Sequence, residues 1–424
     1  MALDSNITIT RKQKDFRKLA KHHSPREGSP EYMDALSRLL NLSPAEKKSL
    51  GVVYTLPEIL QQPQTWLRSY AKVFNLSTPI KSFLTNAGIG AVDKSPANVL
   101  LIGAGTSDYI GKSVSSLLQK EWNCDVQAVP STDLLTNMEE HIVPGRDYLW
   151  ISFSRSGDSS EGVAVLETAL AVHPRIKHLI VTCNDAGRMA RAFKDENVLS
   201  IVLDDAVNDR GLAMTSSFSN MVIVAQALAH IRTLPHYALI VERLADAATQ
   251  ILPSTAGICE QLVQAGFTKT CFLGTGALKG AAIESGLKVL ELTGGRVVSF
   301  AESFLGLRHG PLSAIDDDTL VVGFLSSDAR RRQFELDLLR EIVDKRLTSK
   351  YLAVYPRTPE DRFPPEHSLF LGLQHDLADF YLPPLAVVVG QLLGFFASLK
   401  VGLRPDEPSP RGAISRVVEH VTIH

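Results

Sequence analysis

Cysteine is scarce and scattered. Cys124, Cys183, Cys259 and Cys271 are the four in 424 residues, and no two form a Cys-x-x-Cys pair. This excludes a disulfide framework and a cysteine-based zinc site of standard spacing. A surplus of one charge is also missing: 44 Lys and Arg face 46 Asp and Glu, a formal net charge of −2. A general nucleic-acid binder would carry a basic excess. The first thirty residues are polar, with Arg11, Lys12, Lys14, Arg17, Lys18 and Lys21 among them, and no apolar core of signal-peptide type follows. Secretion is therefore not expected. The most apolar stretch, Leu382 to Leu403, is broken by Pro383, Pro384, Gln391, Ser398 and Lys400. It reads as a buried core helix rather than a membrane span. What remains is a cytoplasmic enzyme with no membrane or nucleic-acid partner, long enough for two globular units.

The N-terminal fifty residues read as a helical extension, with a short helix over Glu31 to Leu40 and Ser-Pro breaks around it. A further helix is expected from about Leu56 to Phe74. Beyond it, short continuous apolar runs alternate with amphipathic segments. The runs are Asn98 to Gly103, Tyr148 to Phe153, His178 to Cys183, Val198 to Leu203, Lys269 to Gly274, Thr319 to Phe324 and Tyr351 to Tyr355. Helices are expected at Ile110 to Lys120, Ser160 to Val172, Ala186 to Phe193, Met214 to Arg232 and Val241 to Ala265. This alternation predicts α/β architecture with parallel sheets covered on both faces. Gly103-Ala104-Gly105 and Gly274-Thr275-Gly276 lie 171 residues apart, as do Phe153 and Phe324. A shared shift at two strand ends predicts two tandem copies of one unit. The expected division is an extension at 1–50, a first unit at 51–240, a second at 241–404 and a tail at 405–424.

Ligands of open α/β sheets bind beyond the carboxyl ends of the strands. Gly103-Ala104-Gly105-Thr106-Ser107 follows the first strand, and Ser154-Arg155-Ser156-Gly157-Asp158-Ser159 follows the second. Met214-Thr215-Ser216-Ser217 comes later. Each opens a predicted helix. Helix N-termini offer unpaired N–H groups and partial positive charge, glycine permits close approach, and Arg155 adds a charge-assisted bond. Helix capping would account for one such loop; three together point to a phosphate cradle. A dinucleotide fingerprint fits less well, because Asp108 and Lys279 occupy the third glycine position in the two copies.

The second copy lacks glycine in its matching loop, Leu325-Ser326-Ser327-Asp328, so phosphate binding is expected to stay in the first. The second offers ionisable groups. Glu284, Lys288 and Glu291 fall at i, i+4 and i+7, on one helix face. Such a row is either a solvated salt-bridged face or a carboxylate base held beside a lysine. His309, in Leu307-Arg-His-Gly-Pro-Leu312, is a further acid/base candidate. No His has a partner at metal-ligand spacing, so neither metal nor cofactor is expected.

These motifs together resemble tandem sugar isomerase (SIS) domain proteins. The resemblance rests on Gly105-Thr106-Ser107, Ser154 to Ser159, Ile283-Glu-Ser-Gly-Leu-Lys-Val-Leu-Glu291, Leu307 to Leu312, Gln391-Leu-Leu, Pro405-Asp-Glu-Pro408 and the tail Gly412 to Ile423. From about Leu56 onward the chain is similar to the isomerase half of glucosamine-6-phosphate synthase. It is closer to the tagatose-6-phosphate ketose/aldose isomerase group, also described as galactosamine-6-phosphate deaminase/isomerase. The resemblance implies that Gly105, Thr106, Ser107, Ser154, Arg155, Ser156 and Ser159 hold a sugar 6-phosphate, with Thr215 and Ser216 nearby. It implies that Glu291 shuttles the proton between C1 and C2, beside Lys288 and Glu284. It further implies that His309 assists ring opening from a neighbouring subunit, which requires at least a homodimer. Two departures stand out. The synthase has Gln where Arg155 stands, and its functional C-terminal Lys has no counterpart, since no Lys follows Lys400. Arg416 is left to touch the ligand.

The expected function is conversion of galactosamine 6-phosphate to tagatose 6-phosphate with release of ammonia, classed with the isomerases and the hydrolases. The rival readings are a plain ketose/aldose isomerase and a non-catalytic sugar-phosphate sensor.

Overall fold

The computed structural model describes residues 34–91, 96–193, 195–358, 367–417 and 421–423. The basic cluster from Arg11 to Lys18 lies outside them. Two five-stranded sheets, all parallel, organise the chain. The first contains β1 (Asn98–Gly103), β2 (Val126–Pro130), β3 (Tyr148–Ser154), β4 (Lys177–Thr182) and β5 (Val198–Val202) in the order β2-β1-β3-β4-β5. The second contains β6 (Lys269–Leu273), β7 (Val298–Glu302), β8 (Thr319–Phe324), β9 (Tyr351–Arg357) and β10 (Ser368–Gln374) in the order β10-β9-β8-β6-β7. Read from its other edge, the second sheet has the order of the first. The tandem α/β reading therefore holds.

The strand residues alternate between cores, as period-two geometry requires. Val99 and Leu101 of β1 join one cluster, while Leu100 and Ile102 join another on the opposite face. In β6, Phe272 faces the first cluster and Cys271 and Leu273 face away from it. The main cluster contains residues of both sheets and of the helices between them, so the two units share one continuous core. The longer helices are α1 (Gln62–Asn75), α2 (Thr106–Trp122), α3 (Ser160–Val172), α4 (Ser216–Ala229), α5 (Leu234–Ala265), α6 (Ala277–Leu292), α7 (Ala329–Asp344) and α8 (Pro383–Lys400); α3 and α7 pack in separate clusters on the outer faces, and the other six contribute to the main one. Helix α8 is long and apolar enough to cross a membrane, yet 89% of that window is buried inside the protein.

Three strands escaped the sequence reading: β2, β7 and β10. All three are sheet edges. Edge strands are covered less completely, and β2 and β7 mix polar with apolar residues, as in Val126-Gln127 and Val298-Ser299, whereas β10 carries an apolar run, Leu369 to Leu373, that the reading passed over. The helix expected over Leu56 to Phe74 is two helices, Thr55–Leu60 and α1, separated at Gln61. Pro63 sits in the first turn of α1, where its missing N–H costs nothing but cannot continue the preceding helix. The helix expected over Ala186 to Phe193 shrinks to Arg188–Arg191. The residues before and at its start are engaged with the serine loop: Asn184 Nδ2 donates to Ser156 O at 2.8 Å and Met189 N to Gly157 O at 2.9 Å.

Two helix contacts set the functional geometry. Helix α6 packs on α8 and on α2, joining the second unit to the first. The approach to α2 is close: a Cβ on Gly280 would lie 2.3 Å from Ser113 Oγ. Any larger residue at 280 would separate α6 from α2.

Candidate functional site: a phosphate cleft joined to a buried acid/base row

Beyond the ends of β1 and β3 lies a cleft of ≈ 130 Å³. Gly103, Ser107, Ser154, Arg155, Ser156 and Ser159 line it, with Arg416 and Val417 of the C-terminal tail. Gly105 enters α2 with φ 54° and ψ −123°, which explains the glycine there. The serine loop is internally braced: Gly157 N donates to Ser154 Oγ at 3.0 Å and Asp158 N to Ser156 Oγ at 3.1 Å. Ser159 precedes α3 without spending its hydroxyl on a cap.

Two guanidinium groups border the cleft, and among the described residues neither forms an ion pair. Arg155 Nη1 donates to Leu212 O at 3.1 Å, and its Nη2 donates to the main-chain oxygen of Arg416. Burial pulls the Arg155 guanidinium below its usual range. Arg416 Nε donates to Asp209 O at 2.7 Å and its Nη2 to Asn208 Oδ1 at 2.6 Å. A buried cation, Arg155, and a half-buried one, Arg416, bonded only to neutral oxygens favour an incoming anion. The tail is thus fastened over the cleft through Arg155 and Arg416. Its root is fixed by Asp406, whose carboxylate accepts from Val53 N (2.7 Å), Thr55 N (2.8 Å) and Thr55 Oγ1 (2.9 Å).

Thr215 and Ser216 are not among the residues lining this cleft, although Met214 of the same loop is. Asp209 already occupies the N-terminus of α4. It accepts from Thr215 N at 2.8 Å, Ser216 N at 3.0 Å and Ser217 N at 2.9 Å. The Ser216 hydroxyl is committed to Glu58 O at 2.6 Å. An internal carboxylate does there what a phosphate was expected to do.

The row on α6 is not a solvated face. Lys288 and Glu284 are both fully buried, and Glu291 is partly exposed. Lys288 Nζ lies 2.6 Å from Glu291 Oε2, 3.3 Å from Glu284 Oε1 and 3.0 Å from Thr106 Oγ1. Thr106 Oγ1 also lies 3.2 Å from Glu284 Oε1. Burial pushes the Glu284 carboxyl up to about 8, against the pull of Lys288. Burial also disfavours the Lys288 charge, but the two carboxylates outweigh it and raise the ammonium. Burial thus favours the neutral form of Glu284, and the Lys288 ammonium lies in direct contact with Glu291. Thr106 connects this row to the cleft, since its neighbour Ser107 is a lining residue.

His309 is exposed on the turn after Phe304–Leu307. Among the described residues no hydrogen bond or ion pair joins it to Glu284, Lys288 or Glu291. Asp108, at the third glycine position of the weaker dinucleotide reading, is buried and pairs with Lys112 at 2.5 Å.

Sequence reasoning missed Asp209, Glu58 and Asp406. Pro405-Asp-Glu-Pro408 marked Asp406 without revealing its role. Nothing local distinguishes Glu58 from a surface acid, because its partner N–H groups are distant in sequence, and Asp209 precedes its partners at Thr215 to Ser217 by a turn that carries no recognisable pattern. Glu58 accepts from Arg210 N at 2.6 Å, and burial next to Asp209 raises its carboxyl to about 8. Glu58 and Glu284 both hold a proton in the folded chain that the unfolded chain releases near 4.5. Their stabilisation is complete below that value and lost as pH rises through about 8. Urea midpoints measured from pH 6.5 to 9 should fall, and Glu58→Gln should flatten that fall.

A family model described as the SIS domain matches residues 94–231. The D-galactosamine-6-phosphate deaminase AgaS of Escherichia coli is 35% identical over 373 residues, covering 88% of this chain and 95% of the relative. The protein of that name from Shewanella sp. (strain ANA-3) is 32% identical over 397 residues, covering 91% and 95%. The crystal structure of tagatose-6-phosphate ketose/aldose isomerase from Escherichia coli matches with TM-score 0.79 and 34% identity, over 87% of this chain and 96% of that one. The C-terminal domain of glucosamine-fructose-6-phosphate aminotransferase from Francisella tularensis, at 19% identity and TM-score 0.68, shares the fold. These relatives carry the names deaminase and isomerase, which overturns the expected hydrolase label.

Proposed function

This chain belongs to the AgaS family of SIS-domain deaminases, and from that premise we propose that it releases ammonia from galactosamine 6-phosphate and leaves tagatose 6-phosphate. The observation that carries the reading is Thr106. Its hydroxyl touches Glu284 and Lys288 of the second unit, while the residue beside it lines the anion cleft of the first. A phosphate in the cleft would anchor one end of a sugar whose other end reaches the acid/base row.

The 6-phosphate sits among Ser107, Ser154, Ser156 and Ser159, with Arg155 and Arg416 contributing positive charge. His309 of a second subunit assists ring opening, so the working unit is at least a homodimer. Glu291 removes the C2 proton of the open-chain aldehyde. The electron pair forms the C1–C2 double bond of an enolamine, and the C1 oxygen takes a proton from the substrate's own 2-ammonium group. Glu291 then returns its proton to C1, giving a C2 iminium. Water adds at C2 and ammonia leaves, with the nitrogen lone pair taking the proton that water gives up. Lys288, 2.6 Å from Glu291 Oε2, holds the carboxylate in position. Neutral Glu284 fixes Thr106 and Lys288 without adding a second buried negative charge.

The division into an extension at 1–50, units at 51–240 and 241–404 and a covering tail at 405–424 is part of this proposal, as is a cytoplasmic location. The boundary at 240 runs through α5, which belongs to the shared core. The position of the acid/base row favours an enzyme over a sugar-phosphate sensor. Ammonia measured by a coupled assay should appear from galactosamine 6-phosphate faster than from glucosamine 6-phosphate. Isomerisation of tagatose 6-phosphate without ammonia from either amino sugar would support the plain isomerase instead.

A further inference from the structure

The second unit repeats the two loops that form the phosphate cleft of the first. Gly276 has φ 59° and ψ −128°, matching Gly105 at 54° and −123°. Residues 325–328 follow β8 as residues 154–157 follow β3. Yet the hydroxyls of Thr106 and Ser107 are replaced by Ala277 and Leu278 at the same offset.

Two buried carboxylates from elsewhere in the second unit bind these loops. Glu335, on α7, accepts from Ser326 N and from Ser326 Oγ, both at 2.7 Å. Thr275, in the glycine turn, also hydrogen-bonds the Glu335 side chain. Glu335 therefore bridges the same two loops that a phosphate would bridge in the first unit. Asp379 accepts from Ser327 N at 2.6 Å and from Ser327 Oγ at 2.7 Å. Its other oxygen receives Arg331 Nη1 at 2.8 Å. Arg331 in turn lies against the glycine turn, 3.7 Å from where a Gly276 Cβ would be. Glu335 and Asp379 are 1% and 4% exposed, so solvent does not compete for these donors.

We infer that the second unit keeps the anion pocket of the first in self-occupied form, with the carboxylates of Glu335 and Asp379 in place of phosphate oxygens. The chain then binds one phosphate ester, not two. Removing a carboxylate would leave buried N–H and O–H donors unpaired, a vacancy that free phosphate can fill. This rests on the reading that the first cleft binds phosphate.

The test is equilibrium binding of radiolabelled inorganic phosphate to the full chain, with melting temperature followed in parallel. The wild type should bind one equivalent, lost in Ser156→Ala. Glu335→Ala should bind a second equivalent that survives addition of Ser156→Ala, and phosphate should raise its melting temperature more than the wild type's. Glu335→Gln, which keeps the pocket filled, should gain nothing. If Glu335→Ala fails to fold, Asp379→Ala replaces it. Two equivalents on the wild type, or retention of phosphate by Ser156→Ala alone, would overturn the inference. So would the absence of any gain in the carboxylate variants. A wild type that binds no phosphate beside a Glu335→Ala chain that binds one would defeat the first-cleft reading and uphold this inference.

Discussion

Glu291→Gln should bind galactosamine 6-phosphate and release almost no ammonia. The amide keeps the size and hydrogen-bonding reach of the carboxylate but cannot take a proton from carbon at neutral pH. A positioned acid/base group contributes about 10²–10⁴ in rate. Because Glu291 serves both the removal and the return of the proton, kcat should fall toward the upper end of that range. KM should change little, because the phosphate cleft is untouched. The Lys288 ammonium, 2.6 Å from Glu291 in the native chain, can still donate to the amide oxygen. The variant removes the counter-charge of the buried Lys288 ammonium, so its melting temperature should fall, and turnover is compared below that temperature to separate loss of chemistry from loss of fold. Turnover near the wild-type rate would remove Glu291 from its assigned role.

Lys288→Met is read in stability rather than in rate. Methionine fits the space, but the substitution leaves Glu284 fully buried without the cation 3.3 Å away. Breaking one side of a buried pair costs about 3–5 kcal/mol where the remaining group is charged and uncompensated, a condition Glu284 meets only at alkaline pH. The size of the loss should depend on pH. Glu284 stays protonated below about 8 in the native chain. Removing Lys288 raises that value further, so the folded variant holds a proton that the unfolded chain releases. Its stability should fall increasingly behind the wild type as pH rises from 6 to 9. A difference that is the same at both ends would show that Glu284 does not titrate there.

The sequence carried most of this architecture because the buried strands are continuous apolar runs and buried strands dominate both sheets. It lost β2 and β7 because an edge strand need not be apolar throughout, and it passed over β10 although Leu369 to Leu373 is an apolar run. The spacing of Glu284, Lys288 and Glu291 placed them on one helical face but left open whether water or protein covered that face. Only the approach of α2, permitted by Gly280 against Ser113, answers that. Thr215 and Ser216 had the residue types of an anion loop. What no local pattern could reveal was Asp209, which approaches the start of α4 from the preceding turn and takes its donors. The same device, carboxylates of Glu335 and Asp379 on loop N–H groups, separates the second unit from the first.

The central claim is that Glu291 carries a proton from C2 to C1. It is tested by supplying galactosamine 6-phosphate deuterated at C2 and following the label by NMR. The account predicts a primary isotope effect on ammonia release. It also predicts that deuterium leaves C2, appearing at C1 of tagatose 6-phosphate or in water, and that Glu291→Gln leaves it in place. Ammonia released while deuterium remains on C2 would contradict the account.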